Sequence, residues 1–268
     1  MSSLLRLSGL SQHLSRPLQS SRCHALRSLR RPTPSPPTHV TRTRRAYTGF
    51  TPAGDRQIAT NKTILYTLIG TNVGVFLYAM YLKQAAQQGH PKGFVKFMQN
   101  MTLNLHDFKA GRYWTPLTSC FTHLDFGHIL SNLVTVFFLG RFLAFEPLIT
   151  PARYLVIALG SGVAGSLGFL VNRMQATQGA RAVDRKRALG FSGAVMGIST
   201  VAACLSPRTT VSLYGIIPVP LWALVMGYAA YDGYYLNSEK STVAHAGHLG
   251  GLVFGGAYYL LKLRGLRF

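Results

Sequence analysis

Gly190-Phe191-Ser192-Gly193 sets a serine between glycines at the start of an apolar run that continues to Leu205. A serine in that setting is a candidate nucleophile inside a membrane, provided a base and a site for the oxyanion come with it. Without them, a helical serine returns its hydroxyl to a carbonyl one turn back, and that bland reading stands beside the chemical one. The groups that could complete the chemistry lie on two other apolar runs. His123, His128 and Asn132 sit near the start of one, and His245 and His248 near the start of another. His248 is the candidate base, taking the Ser192 proton and returning it to a leaving amine. His128 and Asn132, four residues apart, share a helix face and can both donate toward an oxyanion, as can the Ser192 backbone N–H at a helix start. No carboxylate stands where it would be expected to orient His248, so the expectation is a Ser192/His248 dyad rather than a triad.

Six apolar segments must position these groups: Ile64 to Leu82, about Phe121 to Gly140, Tyr154 to Val171, Leu189 to Leu205, Val211 to Tyr231 and Val243 to Leu261. The first has 19 uncharged residues, enough to cross a ~30 Å hydrocarbon core at 1.5 Å per residue. With six crossings, the second, fourth and sixth begin on the same side, so Ser192, His248, His128 and Asn132 share one depth. Polar groups in a bilayer are kept mainly where they face a cavity or one another. Gly193 and Gly197 share one side of the fourth segment, and Gly247, Gly251 and Gly255 form a stripe on the sixth. Small residues at this period let helix backbones approach closely, either to bring Ser192 to His248 or as general bundle packing. Pro218 and Pro220 should bend or break the fifth segment. The basic, amphipathic connection from Lys83 to Trp114 should lie in the membrane interface.

Composition agrees with a membrane protein: of 268 residues, 48% are hydrophobic and only 13% charged. The net charge of +21 is uneven, because nine of the 28 basic residues lie in residues 1–45. Beyond residue 47 the remaining 19 basic and seven acidic residues are scattered between apolar runs, which argues against nucleic acid as a partner. Cys23, Cys120 and Cys204 have no metal-ligand spacing. Residues 1–47, rich in Arg, Ser and Thr and free of acids, have the composition of a mitochondrial presequence with a Pro/Arg-rich linker. The alternative is a disordered basic tail held on anionic lipid. Arg45-Ala46-Tyr47-Thr48 resembles a processing site. Residues 48–63 then form a short N-terminal segment, 64–263 the six-helix domain and 264–268 a basic tail. Four membrane histidines also admit a metal or haem reading, but the spacings of five (His123/His128) and three (His245/His248) are not the usual four, and Asp125 is the one acid nearby.

Three blocks in this order resemble the rhomboid family of intramembrane serine proteases: His123-Leu124-Asp125-Phe126-Gly127-His128-Ile129-Leu130-Ser131-Asn132, Gly190-Phe191-Ser192-Gly193, and Ala246-Gly247-His248-Leu249-Gly250-Gly251-Leu252-Val253-Phe254-Gly255. The resemblance covers roughly residues 60–265. It implies an all-α, six-transmembrane-helix bundle with Ser192 as nucleophile, His248 as base and His128 and Asn132 at the oxyanion. His123, Gly190, Gly193 and Gly251 would support that site. It further implies single-pass membrane proteins as substrates, a lipid environment, no metal or cofactor, and, with the presequence, a multi-pass place in the mitochondrial inner membrane. If the processed N-terminus stays in the matrix, the site opens toward the intermembrane space. Met196 stands one turn after the serine, where bacterial relatives often have an aromatic, as in mitochondrial-type members. Arg112-Tyr113-Trp114 stands where a Trp-Arg pair is common, and residues 1–63 contain no apolar run long enough for the extra leading span of many mitochondrial members. The rival within the family is a catalytically inactive relative that binds membrane proteins in quality control.

Overall fold

The computed structural model describes residues 52–179, 184–213, 216–238 and 240–265. The expected presequence, processing site, linker and last residues of the basic tail lie outside them. The chain is mostly helical: α1 (Pro52–Gln87), α2 (Pro91–Met101), α3 (Phe126–Phe145), α4 (Pro151–Ala176), α5 (Ser192–Leu205), α6 (Leu221–Tyr234) and α7 (His245–Tyr258). Three of these, α1, α3 and α4, are long and apolar enough to cross a membrane. Helix α5 has 14 residues, about 21 Å at 1.5 Å per residue. It is shorter than a lipid-facing span needs, and it is enclosed: Ala194 through Ala203 are all buried. Helix α7 is extended by a π-helical turn from Tyr259 to Leu263.

Helix α1 begins twelve residues before the expected span, so Pro52 to Thr63 is helix continuous with it. Polar anchors account for the extension. Asn61, fully buried, donates to the carbonyls of Ile149 (2.7 Å) and Ala144 (3.3 Å), and Gln57 donates to those of Pro147 and Ile149. These bonds satisfy carbonyls in the last turn of α3 and in the α3–α4 connection. Within the apolar stretch two polar donors bond back along the helix, the Thr71 hydroxyl to the Thr67 carbonyl and the Asn72 amide N–H to the Leu68 carbonyl, which satisfies those donors where water is absent.

The second segment starts as helix at Phe126, later than expected, because Asp125 caps it by accepting the His128 N–H at 2.8 Å. Asp125 is therefore committed to a helix end. Midway, α3 carries a π-helical turn from Val136 to Gly140, and the Gly140 carbonyl accepts the buried Tyr154 hydroxyl at 3.0 Å. Helix α4 opens on a Thr150 cap with Pro151 in its first turn. The fifth segment departs most from expectation. Its first half is an antiparallel hairpin, β1 (Thr210–Leu213) with β2 (Ile217–Pro220), and α6 starts only at Leu221. Pro218 and Pro220 remove two backbone donors, so a helix through them would leave carbonyls unpaired. A two-stranded ladder needs fewer donors, and it adds one short strand pair to a mostly helical chain.

The main core gathers Leu65, Val136, Leu143, Ile157, Ile198 and Leu221 around α5. A smaller cluster joins Leu103 and Leu105 to Phe169 and Leu170 of α4. The contact of α4, α5 and α7 is made by glycines. A Cβ on Gly255 would lie 2.6 Å from the Gly197 carbonyl oxygen, and one on Gly251 would collide with the Gly193 carbonyl. Likewise, a Cβ on Gly165 would lie 2.5 Å from the Gly247 carbonyl oxygen and one on Gly250 2.6 Å from that of Ala164. Lipid supplies little hydrophobic drive for helix association, so close backbone packing carries it. The stripes on α5 and α7 are those expected; α4 is a third partner that the sequence pattern left unassigned.

Candidate active site

Ser192 is the first residue of α5, and Gly190, two residues before it, has φ +119. That backbone conformation strains any side chain, and a Cβ there would also lie 2.6 Å from Cε1 of His128. Gly190 thus supplies both the turn that aims Ser192 and the space for the His128 ring. The turn is tied down by Gly190 N–H donating to the Ser119 carbonyl (2.9 Å) and by Phe191, 1% exposed, wedged in the core.

His248, one turn into α7, places Nε2 2.9 Å from the Ser192 Oγ. The expectation that no carboxylate orients this histidine is corrected by Asp232 of α6. Its Oδ1 and Oδ2 lie 3.0 and 3.1 Å from His248 Nδ1. The Asp232 side chain is 3% exposed and that of His248 16%, so the carboxylate is enclosed while the imidazole and serine stay reachable. An ionised carboxylate only accepts, so it holds the proton on Nδ1 and leaves the Nε2 lone pair toward Ser192. Asp232 escaped the sequence reading because it is the first residue past the apolar run ending at Tyr231. Its signal was rarity: it is one of seven acids in the chain, between two membrane segments.

His245 bonds the same carboxylate. Its Nδ1 lies 2.7 Å from Asp232 Oδ1, and its Nε2 2.8 Å from the Ser241 hydroxyl. A cavity of ≈ 630 Å³ backs onto Ser241 and His245 rather than onto Ser192. Beside Ser192 the space is small, ≈ 30 Å³, lined by Ser119, Ser166, Gly190 and Gly193 among others, room on the scale of a water molecule.

The remaining expected site residues also meet. The buried His123 Nε2 lies 3.2 Å from the Phe191 N–H, which donates to it, and 3.0 Å from Asn132 Nδ2. Two donors on one ring nitrogen make it an acceptor, so His123 is neutral with its proton on Nδ1. One N–H of Asn132 is therefore committed to His123, leaving the other to the site. The His128 ring packs edge-on against that of His123 at 4.9 Å. Among the described residues, no three His, Cys, Asp or Glu side chains are arranged to hold a metal.

The segment leading into Ser192 is strapped to the first loop. Leu103 and Ala188 pair as an isolated antiparallel bridge. Asn104 donates to the carbonyls of Asp184 and Lys186. Arg187 reaches Asp107 at 2.6 Å and the Met98 carbonyl at 3.1 Å. Asp107 also pairs with Arg112, which gives that arginine an anchor other than the indole expected from the family pattern; Trp114 is half-exposed.

The Rhomboid domain model matches residues 110–265. RHOMBOID-like protein 12, mitochondrial, of Arabidopsis thaliana is 34% identical over 201 residues, 71% of this chain and 56% of the plant protein. Rhomboid protein 1, mitochondrial, of Saccharomyces cerevisiae is 26% identical over 200 residues, 74% of this chain and 52% of the yeast protein. Rhomboid-like protein 16, chloroplastic, of Arabidopsis thaliana is 26% identical over 220 residues, 77% and 65% of the two chains. The chain spans just over half the length of the first two relatives.

Proposed function

This multi-pass membrane chain belongs to the rhomboid family, and from that premise we propose that it is an intramembrane serine endopeptidase that cleaves transmembrane segments of single-pass membrane proteins. The observation that carries the reading is the 2.9 Å contact between Ser192 Oγ and His248 Nε2, with Asp232 on the far side of the imidazole. His248 takes the hydroxyl proton as Oγ attacks the scissile carbonyl carbon, then donates it to the leaving amine. The acyl-enzyme is released by a water that the same imidazole deprotonates. Asp232 positions His248 and stabilises the imidazolium. The Ser192 N–H, His128 and the second N–H of Asn132 stabilise the oxyanion. The small cavity beside Ser192 has room for the hydrolytic water. The chain crosses the membrane in six helices and works in the mitochondrial inner membrane. Support for that address comes from its basic, acid-free leader and from two relatives named as mitochondrial.

The test is labelling of the detergent-purified full chain with a fluorophosphonate probe. Wild type labels, whereas Ser192→Ala and His248→Ala accumulate as folded protein and do not. Absence of labelling in folded wild type would remove the protease reading and leave a non-catalytic, membrane-protein-binding relative.

A further inference from the structure

Helix α2 and residues 112 and 114 line a surface groove of ≈ 570 Å³ that lies apart from Ser192, a size within the range of ligand sites. Lys92, Val95, Lys96, Gln99, Arg112 and Trp114 line it, and no carboxylate does. All residues from 91 to 114 are described, so that sign is complete for this stretch. Arg112 shares its charge with Asp107. Lys92 and Lys96 are exposed and make no ion pair among the described residues.

The depth of the groove follows from its neighbours. Helix α1, long and apolar enough to span, ends at Gln87, and α2 starts at Pro91 after a turn at Gly89 with φ +94. Tyr78 of α1 packs edge-on against Phe97 of α2 at 5.9 Å, which holds α2 against the end of the span. Tyr81, Tyr113 and Trp114 are exposed at this level, as aromatic side chains are at the boundary between hydrocarbon and headgroups. A ligand here meets three cations, Lys92, Lys96 and Arg112, together with Val95 and an indole. A soluble anion would use only the cations; a phospholipid uses both.

We infer that this groove holds the headgroup of an anionic membrane phospholipid, its phosphate facing Lys92, Lys96 and Arg112 and its glycerol and upper acyl carbons against Trp114 and Val95. The inference requires membrane placement of the chain and is independent of proteolysis.

The chain has two tryptophans, so Trp222→Phe leaves Trp114 as the sole reporter. The full chain carrying this change is reconstituted into phosphatidylcholine vesicles containing equal fractions of either dibrominated phosphatidylglycerol or dibrominated phosphatidylcholine. Brominated phosphatidylglycerol should quench Trp114 more strongly. That preference should fall roughly fivefold for each lysine removed in Lys92→Gln and Lys96→Gln, the scale of one basic residue at an anionic surface. Lys262→Gln, in the π-helical turn that extends α7, should leave it unchanged, as should soluble glycerol phosphate in the buffer. Equal quenching by the two lipids, or a preference that survives loss of both lysines in variants with the parent's unfolding midpoint, would overturn the inference. Displacement by glycerol phosphate would replace the lipid with a free phosphate and overturn it equally.

Discussion

Behind Ser192, α5 meets α7 backbone to backbone, with Gly193 against Gly251 and Gly197 against Gly255. Ahead of it, residues 184–191 are held by hydrogen bonds and an ion pair: the backbone of Ala188 on Leu103 and of Gly190 on Ser119, and the side chains of Arg187 on Asp107, Asn104 on two carbonyls and His123 on the Phe191 N–H. The first region is fixed by missing atoms and the second by polar bonds. A glycine contact has one geometry, because nothing can rotate out of the way, whereas a strap of long side chains can re-form after a small shift. The Ser192 to His248 distance is therefore set by the stiffer region, and the proposed oxyanion side by the more adaptable one.

Four substitutions sharpen or break this contrast. Asp232→Asn should have the largest effect, a fall in fluorophosphonate labelling rate of up to about 10⁴-fold, because an amide can hold His248 in the wrong tautomer. The unfolding midpoint should change little. A rate within about tenfold of wild type would mean that Asp232 acts on packing rather than on the base. Next comes Asn132→Ala. Losing one oxyanion donor costs ~3 kcal/mol, a loss of about 10²-fold or more in labelling rate. Because Asn132 also bonds His123, the same variant should lower the unfolding midpoint slightly.

Gly251→Ala tests the stiff region directly. The new methyl meets a carbonyl, so α7 must retreat from α5. A displacement near 1 Å at a catalytic pair costs about 10²-fold, and overpacking adds ~1–3 kcal/mol of instability. Unaltered labelling in this variant would show that the helix contact does not set the distance. Asp107→Asn should be mildest, because two partly exposed arginines lose a partner but keep water and the Met98 carbonyl. The expectation is ~2 kcal/mol of stability and less than about tenfold in rate, read from thermal unfolding and labelling side by side. A larger rate loss for Asp107→Asn than for Gly251→Ala would reverse the assignment of stiff and adaptable regions.

The sequence by itself determined the parts that are local or periodic. Apolar runs marked the helices, the Gly-x-Ser-Gly turn and the four-residue glycine period marked the α5–α7 contact, and the histidines and Asn132 near the segment starts marked side chains that the fold brings together. Each of these is readable because helix geometry converts spacing into a face and membrane crossing converts order into depth. Tertiary structure alone decided the rest. Which face of α6 turns inward depends on packing that spacing does not encode, so Asp232 became legible as the partner of His248 only in the fold. The hairpin at 210–220 was signalled by its prolines as a break, but its strand pairing was not. Asp125 read as a neighbour of histidines and proved to be a helix cap, and α4 entered the glycine contact because three helices, not two, share the space around Gly165. Local propensity sets what a segment can be; the rotation and depth of one helix against another, settled by which backbones can touch, set which side chains meet.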